Sequence, residues 1–166
     1  PTGPTGIQGP VGPASASNYG TFYYSGTGQT VAKDAAIRFN DPPTNPGGGY
    51  QVGLGFSYTP STGIFKFNAP GDYLVMWGTS CKEEDAIIAL KRNLLIIPGT
   101  ILRGLSSVNI FQMTTGSTII TFAQNDELSV VNNGPGPITV QTDPTAPAPS
   151  FGGNATAAYI TIKQLP

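Results

Sequence analysis

From residue 20 onward, apolar side chains alternate with polar ones over short runs that end at glycine, proline or asparagine. A period of two sets successive side chains on opposite faces of a strand. The longest run, residues 72–81, puts Tyr73, Val75, Trp77, Thr79 and Cys81 on one face and Leu74, Met76, Gly78 and Ser80 on the other. Apolar residues stand on both faces, so this strand is expected to be covered twice, by a core on one side and by a neighbouring subunit on the other. Residues 50–58 repeat the pattern, with Val52, Leu54, Phe56 and Tyr58 on one face, and residues 63–68 bring Phe65 and Phe67 before the break Ala69-Pro70-Gly71. Shorter runs are predicted at 21–25, 36–40, 86–92, 94–97, 108–114, 117–123, 127–132, 138–142 and 157–163. Turns are predicted at Pro98-Gly99, Thr115-Gly116, Asn125-Asp126 and 133–136. The spacing across 86–95 also fits a helix, but its β-branched content and flanking turns favour strands. Many short strands at even spacing predict an all-β sandwich whose core includes Phe65, Phe67, Tyr73, Val75, Trp77 and Cys81.

The first thirteen residues follow another period. Gly3, Gly6, Gly9 and Gly12 recur at every third position, and Pro4, Pro10 and Pro13 follow three of them. Only glycine fits the crowded axis of a collagen triple helix, and proline pre-sets its extended backbone. A flexible Gly/Pro linker is the competing interpretation. Ser15 stands where the next glycine would fall, so the stalk is assigned to 1–13, a small-residue neck to 14–19 and a head to 20–166. Four glycine triplets are too few to hold three chains together, so the head is expected to do the trimerising. Lacking an initial methionine, the chain is expected to be a fragment of a longer protein.

Charge narrows the function. Charged residues make up 10% of the chain, the net charge is −1 and histidine is absent. Nucleic acid and anionic membrane surfaces need a basic patch, which this chain lacks, and no apolar run is long enough to span a bilayer. So few charges on a single domain imply a surface that is buried between subunits, rich in hydroxyls or glycosylated. Without histidine, the commonest base near neutral pH is missing, and no cofactor or catalytic set is expected; the chain is expected not to be an enzyme. The lone Cys81, in an alternating apolar run, is expected to be a buried inert thiol. The run Lys82-Glu83-Glu84-Asp85 is expected to be a solvated turn rather than a calcium loop or a carboxylate pair. Residues 143–153 form a proline-punctuated loop, a candidate contact surface, and Asn154-Ala155-Thr156 matches a glycosylation sequon.

Three stretches carry a resemblance. Gly63-Ile64-Phe65-Lys66-Phe67-Asn68-Ala69-Pro70-Gly71-Asp72-Tyr73, Gln124-Asn125-Asp126-Glu127-Leu128-Ser129-Val130 and Ala158-Tyr159-Ile160-Thr161-Ile162, in this order behind a collagen-like stretch, resemble the globular heads of the complement-type and tumour-necrosis-factor-like superfamily. The resemblance implies a homotrimeric jelly roll of about ten antiparallel strands. The Gly-Pro-Thr triplets further resemble the collagen-like, BclA-type glycoproteins of the bacterial spore surface. That implies an extracellular place in the exosporium, with sugars on Thr2 and Thr5. Phe22, Tyr24, Leu74, Met76 and Tyr159 are expected at the three-fold interface, with host-surface or carbohydrate ligands as further partners. A receptor-binding tip of a phage tail fibre, built on the same plan, is the alternative. Residues 94–112 and 143–153 depart from the family pattern, so no ligand or metal residue is carried over from it.

Overall fold

A computed structural model describes residues 18–25, 28–39, 50–83, 85–104, 113–141 and 156–166. The collagen-like stretch, the loop 143–153 and the sequon's Asn154 and Ala155 lie outside the described residues. Alternation produces thirteen strands among them: β1 (Tyr19–Tyr24), β2 (Gln29–Val31), β3 (Tyr50–Val52), β4 (Phe56–Thr59), β5 (Ile64–Phe67), β6 (Gly71–Ser80), β7 (Ile87–Arg92), β8 (Leu95–Ile96), β9 (Leu102–Arg103), β10 (Met113–Phe122), β11 (Glu127–Asn132), β12 (Ile138–Val140) and β13 (Ala158–Gln164). The first sheet runs β10-β6-β13-β1-β3 and the second β4-β5-β11-β7-β8, with β9 also on β7; β2 and β12 form a small pair. Every pairing is antiparallel. The all-β sandwich is thus the observed architecture.

The core lies between the two large sheets. Tyr73, Val75 and Trp77 from β6 meet Phe56, Phe65 and Phe67 from β4 and β5, and all are essentially inaccessible to water; Cys81 is buried just beyond the end of β6. Phe67 stacks on Phe122 with centroids 3.6 Å apart, and Tyr58 on Phe65 at 4.4 Å. Buried polar groups are mostly paired, as low polarity demands, although among the described residues the Trp77 indole nitrogen and the Ser80 hydroxyl are buried without a partner. The Asn132 amide donates to the carbonyls of Val31 (3.0 Å) and Gly136 (2.8 Å) and accepts from the Gly134 amide, tying β11 to β2.

Several expected elements take another form. The run 50–58 is two strands, because Gly53 adopts a left-handed φ of 79° and the chain bends, leaving Leu54 outside the core at 86% exposure. Residues 36–39 form only a bridge, Ala36 to Val131, since the Gln29 side chain occupies the backbone of Arg38, accepting from its N–H and donating to its C=O. No turn forms at Thr115-Gly116. Strand β10 passes straight through, and a Cβ on Gly116 would sit 2.6 Å from the Trp77 ring, so this glycine makes room for the indole instead of bending the chain. Asn18 and Tyr19, assigned to the neck, belong to the head. The Asn18 side chain is buried, accepts from the Gly55 amide at 2.9 Å and donates to Gln164 at the end of β13.

Candidate functional site

The register of the first sheet defines its outer face. In successive rows across β1, β13, β6 and β10 stand Tyr23, Tyr159, Gly78 and Thr115; then Thr21, Thr161, Met76 and Ser117; then Tyr19, Lys163, Leu74 and Ile119. Asp72 and Thr121 begin a further row at the end where the chain enters the head. No other layer of the described chain covers these rows. Ile119 is 61% exposed, and Leu74, Met76, Tyr23 and Tyr159 are only half-buried. The Tyr159 ring lies across Gly78, where an added Cβ would come within 2.4 Å of it, so that glycine lets the ring lie flat on the sheet. Thr161 donates to the Thr21 hydroxyl at 3.0 Å. The result is a broad surface of aromatic, aliphatic and hydroxyl groups with one ammonium and one carboxylate.

Leu74, Met76 and Tyr159 lie on this face. Phe22 and Tyr24 do not. They are 5% and 8% exposed inside the protomer's own core, where the Phe22 ring meets Phe65 edge-on at 5.0 Å. Their expected place at an interface is corrected by parity: the even positions of β1 point inward, leaving Tyr19, Thr21 and Tyr23 outside. Sequence reasoning missed Tyr19, Tyr23, Ile119 and Lys163. The signal available was the odd positions of residues 19–23, but these are as aromatic as the even ones.

Among the described residues strand β10 is one edge of the first sheet, ten residues without a charge or a proline. Exposed edges of this kind pair with other chains unless they are covered. At one end Arg92 covers it, donating to the Thr121 carbonyl at 2.9 Å, and the Thr121 hydroxyl donates to Asp72.

The groups considered for chemistry are held in structural roles. Burial pushes the Cys81 thiol up to about 12, against a weaker opposing hydrogen bond from Thr79, so near neutral pH it is a thiol and not a nucleophilic thiolate. In the charge run, the Glu83 carboxylate accepts from the Thr139 amide at 2.6 Å and Asp85 pairs with Arg103 at 2.8 Å on the surface. Among the described residues no group of three or more Asp, Glu or Cys side chains is placed to hold a metal ion, and no helix is long and apolar enough to cross a membrane. At the end opposite Asn18, a depression of about 640 Å³ is lined by Lys33, Asp34, Asp85, Arg103 and Asn133, among others.

No protein-family model matches this sequence, and no curated protein matches it. Solved structures do. The chain is similar to the globular domain of zebrafish complement 1qA (TM-score 0.54, 13% identity, 91% of this chain and 96% of that one). It is also similar to the Eiger TNF of S. frugiperda (TM-score 0.58, 13% identity, 91% and 92%) and to murine APRIL at pH 5.0 (TM-score 0.55, 10% identity, 91% and 100%). At these identities the likeness is one of fold, and the chain has the jelly-roll fold of complement-type and TNF-type globular domains.

Proposed function

We infer that this chain is the non-enzymatic trimeric head of a collagen-like surface filament, carried outside the cell in the outer exosporium layer of bacterial spores, where it nucleates the stalk and mediates adhesion or shielding. The observation that carries the trimer is the outer face of the first sheet, a wide apolar surface that the described residues of one chain leave open to water. Covering it with two further copies gains about 25 cal/mol for each Å² of apolar surface buried, offset by association entropy. Three-fold packing also accounts for the glycine repeat of residues 1–13, since a collagen triple helix needs three chains. The two halves help each other. Asn18 is clamped to Gly55 and Gln164 at one end of the sandwich, so a trimer brings three chain starts together in parallel and lowers the loop-closure cost of starting the triple helix.

The opposite end of the sandwich is free to meet a host surface or a carbohydrate, and the charged depression there supports that role. Light scattering at low micromolar concentration, repeated after dilution, tests the assembly. Three chains of 17.2 kDa give 51.6 kDa, which should persist on dilution. A 17.2 kDa species at both concentrations would overturn the trimer and return residues 1–13 to the status of a linker. A glycan panel then separates a spore-surface head, with broad weak binding, from a phage tip, with one sharp specificity.

A further inference from the structure

The outer face of the first sheet holds one cation and one anion among its described residues, and the two are close to the same height. Lys163 stands in the row of Tyr19, Leu74 and Ile119; Asp72 stands in the next row toward the chain entrance. Two residues along a strand make this about 7 Å. Within a protomer the two groups are diagonal neighbours, yet the one ion pair among the described residues is Arg103 with Asp85. One Asp72 oxygen accepts from the Thr121 hydroxyl, which leaves the other carboxylate oxygen without a described partner.

Symmetry decides what Lys163 can meet. If three chain starts feed one parallel stalk, the three-fold axis runs along the strands, because β1 begins one residue after Asn18 and runs away from that end. Rotation about such an axis keeps every residue at its own height. A group on this face therefore meets only what lies within a side chain's length of its own row on the neighbour. Closing the face over Lys163 strips water from an ammonium, which is costly unless a carboxylate takes its place. Among the described residues, Asp72 is the only carboxylate on this face.

We propose that in the trimer, on which this inference rests, the Lys163 ammonium of each protomer pairs with the Asp72 carboxylate of its neighbour. The result is a ring of three charge-assisted bonds at the stalk end of the head. The ring favours one axial register of the heads, since sliding a protomer by a residue pair away from the stalk end would bring Lys163 opposite the row of Met76 and out of reach of Asp72.

The test uses the whole chain. Lys163→Asp and Asp72→Lys each put like charges at all three contacts and should raise the concentration at which the trimer dissociates at least about tenfold, whereas Asp72→Lys/Lys163→Asp should restore it. Mixing the two single variants separates contacts between chains from contacts within one. A mixed trimer regains opposite charges at two of its three interfaces and should recover most of the mass, but a pairing within each protomer would not recover. Both residues are exposed on the protomer, so circular dichroism should be unchanged in each variant. A wild-type trimer whose dissociation is unmoved by the single variants overturns the ring and leaves the trimer standing. A wild-type monomer overturns both.

Discussion

On their inner faces the two large sheets are interchangeable: Tyr73, Val75, Trp77 and Ile160 on one meet Phe56, Phe65, Leu90 and Leu128 on the other, all buried. Their outer faces differ. On the second sheet Glu127 stands opposite Lys66, Ser129 opposite Lys91 and Arg103 opposite Ile87, so charges are spread among small residues. On the first, the corresponding rows are Tyr, Thr, Met, Leu and Ile, with charge only at Lys163 and Asp72. A chain with 10% charged residues has thus spent most of the charge on its sheets on one side of the sandwich. The same fold that buries a core also sorts its outside into one surface suited to water and one suited to another protein.

The largest expected break in this contrast comes from Met76→Glu. It places an unpaired carboxylate in the middle of the proposed interface, at a cost of several kcal/mol, and should leave only the 17.2 kDa species at low micromolar concentration. Lys91→Glu on the second sheet should leave the mass unchanged. If both variants trimerise, the outer face of the first sheet is not the interface. A change on the inner side should do the reverse: Phe22→Ala opens a cavity in the core and should lower stability by about 3–5 kcal/mol, read as a lower denaturant midpoint, while the assembled mass is retained. Loss of the trimer without loss of stability would put Phe22 back at the interface.

The smallest effect is in pH and belongs to the core alone. Burial raises Cys81 from 9.0 and Tyr58 from 10.0, both to about 12. Their neutral forms are favoured by folding, so the stability they contribute is complete below their unfolded pKa values and is lost as pH rises from about 9 toward 12. Thermal midpoints should fall across that window, and Cys81→Ala should shift the onset upward by about one pH unit, to that of Tyr58. An unaltered onset would place Cys81 in a wetter site than the structure gives it.

Much of this was legible from residue pattern. Residues 72–81 alternate over ten positions, and strand β6 pairs along its whole length with β10 and for seven residues with β13. The pattern misled wherever one residue type serves two purposes. Gly116 looked like a turn because glycine punctuates chains, yet it sits inside β10 to accommodate the Trp77 ring, a contact 39 residues away that no local window contains. Residues 36–39 alternate like a strand, but the Gln29 side chain took the hydrogen bonds that a neighbouring strand would have made. The short β2 and β9, three and two residues long, carry too little alternation to register.

By itself the sequence determined that the chain is all-β and that glycine recurs at every third residue in the stretch before the head. These are properties of composition and period, which survive without coordinates. Tertiary structure alone decided which face of each strand meets the core. A period of two states that side chains alternate, not which set turns inward, and in β1 both sets are aromatic or small. Pairing with β13 and packing against Phe65 turned Phe22 and Tyr24 inward, leaving Tyr19 and Tyr23 on the face with Met76 and Lys163. That choice was made by the neighbours available to fill the space on each side.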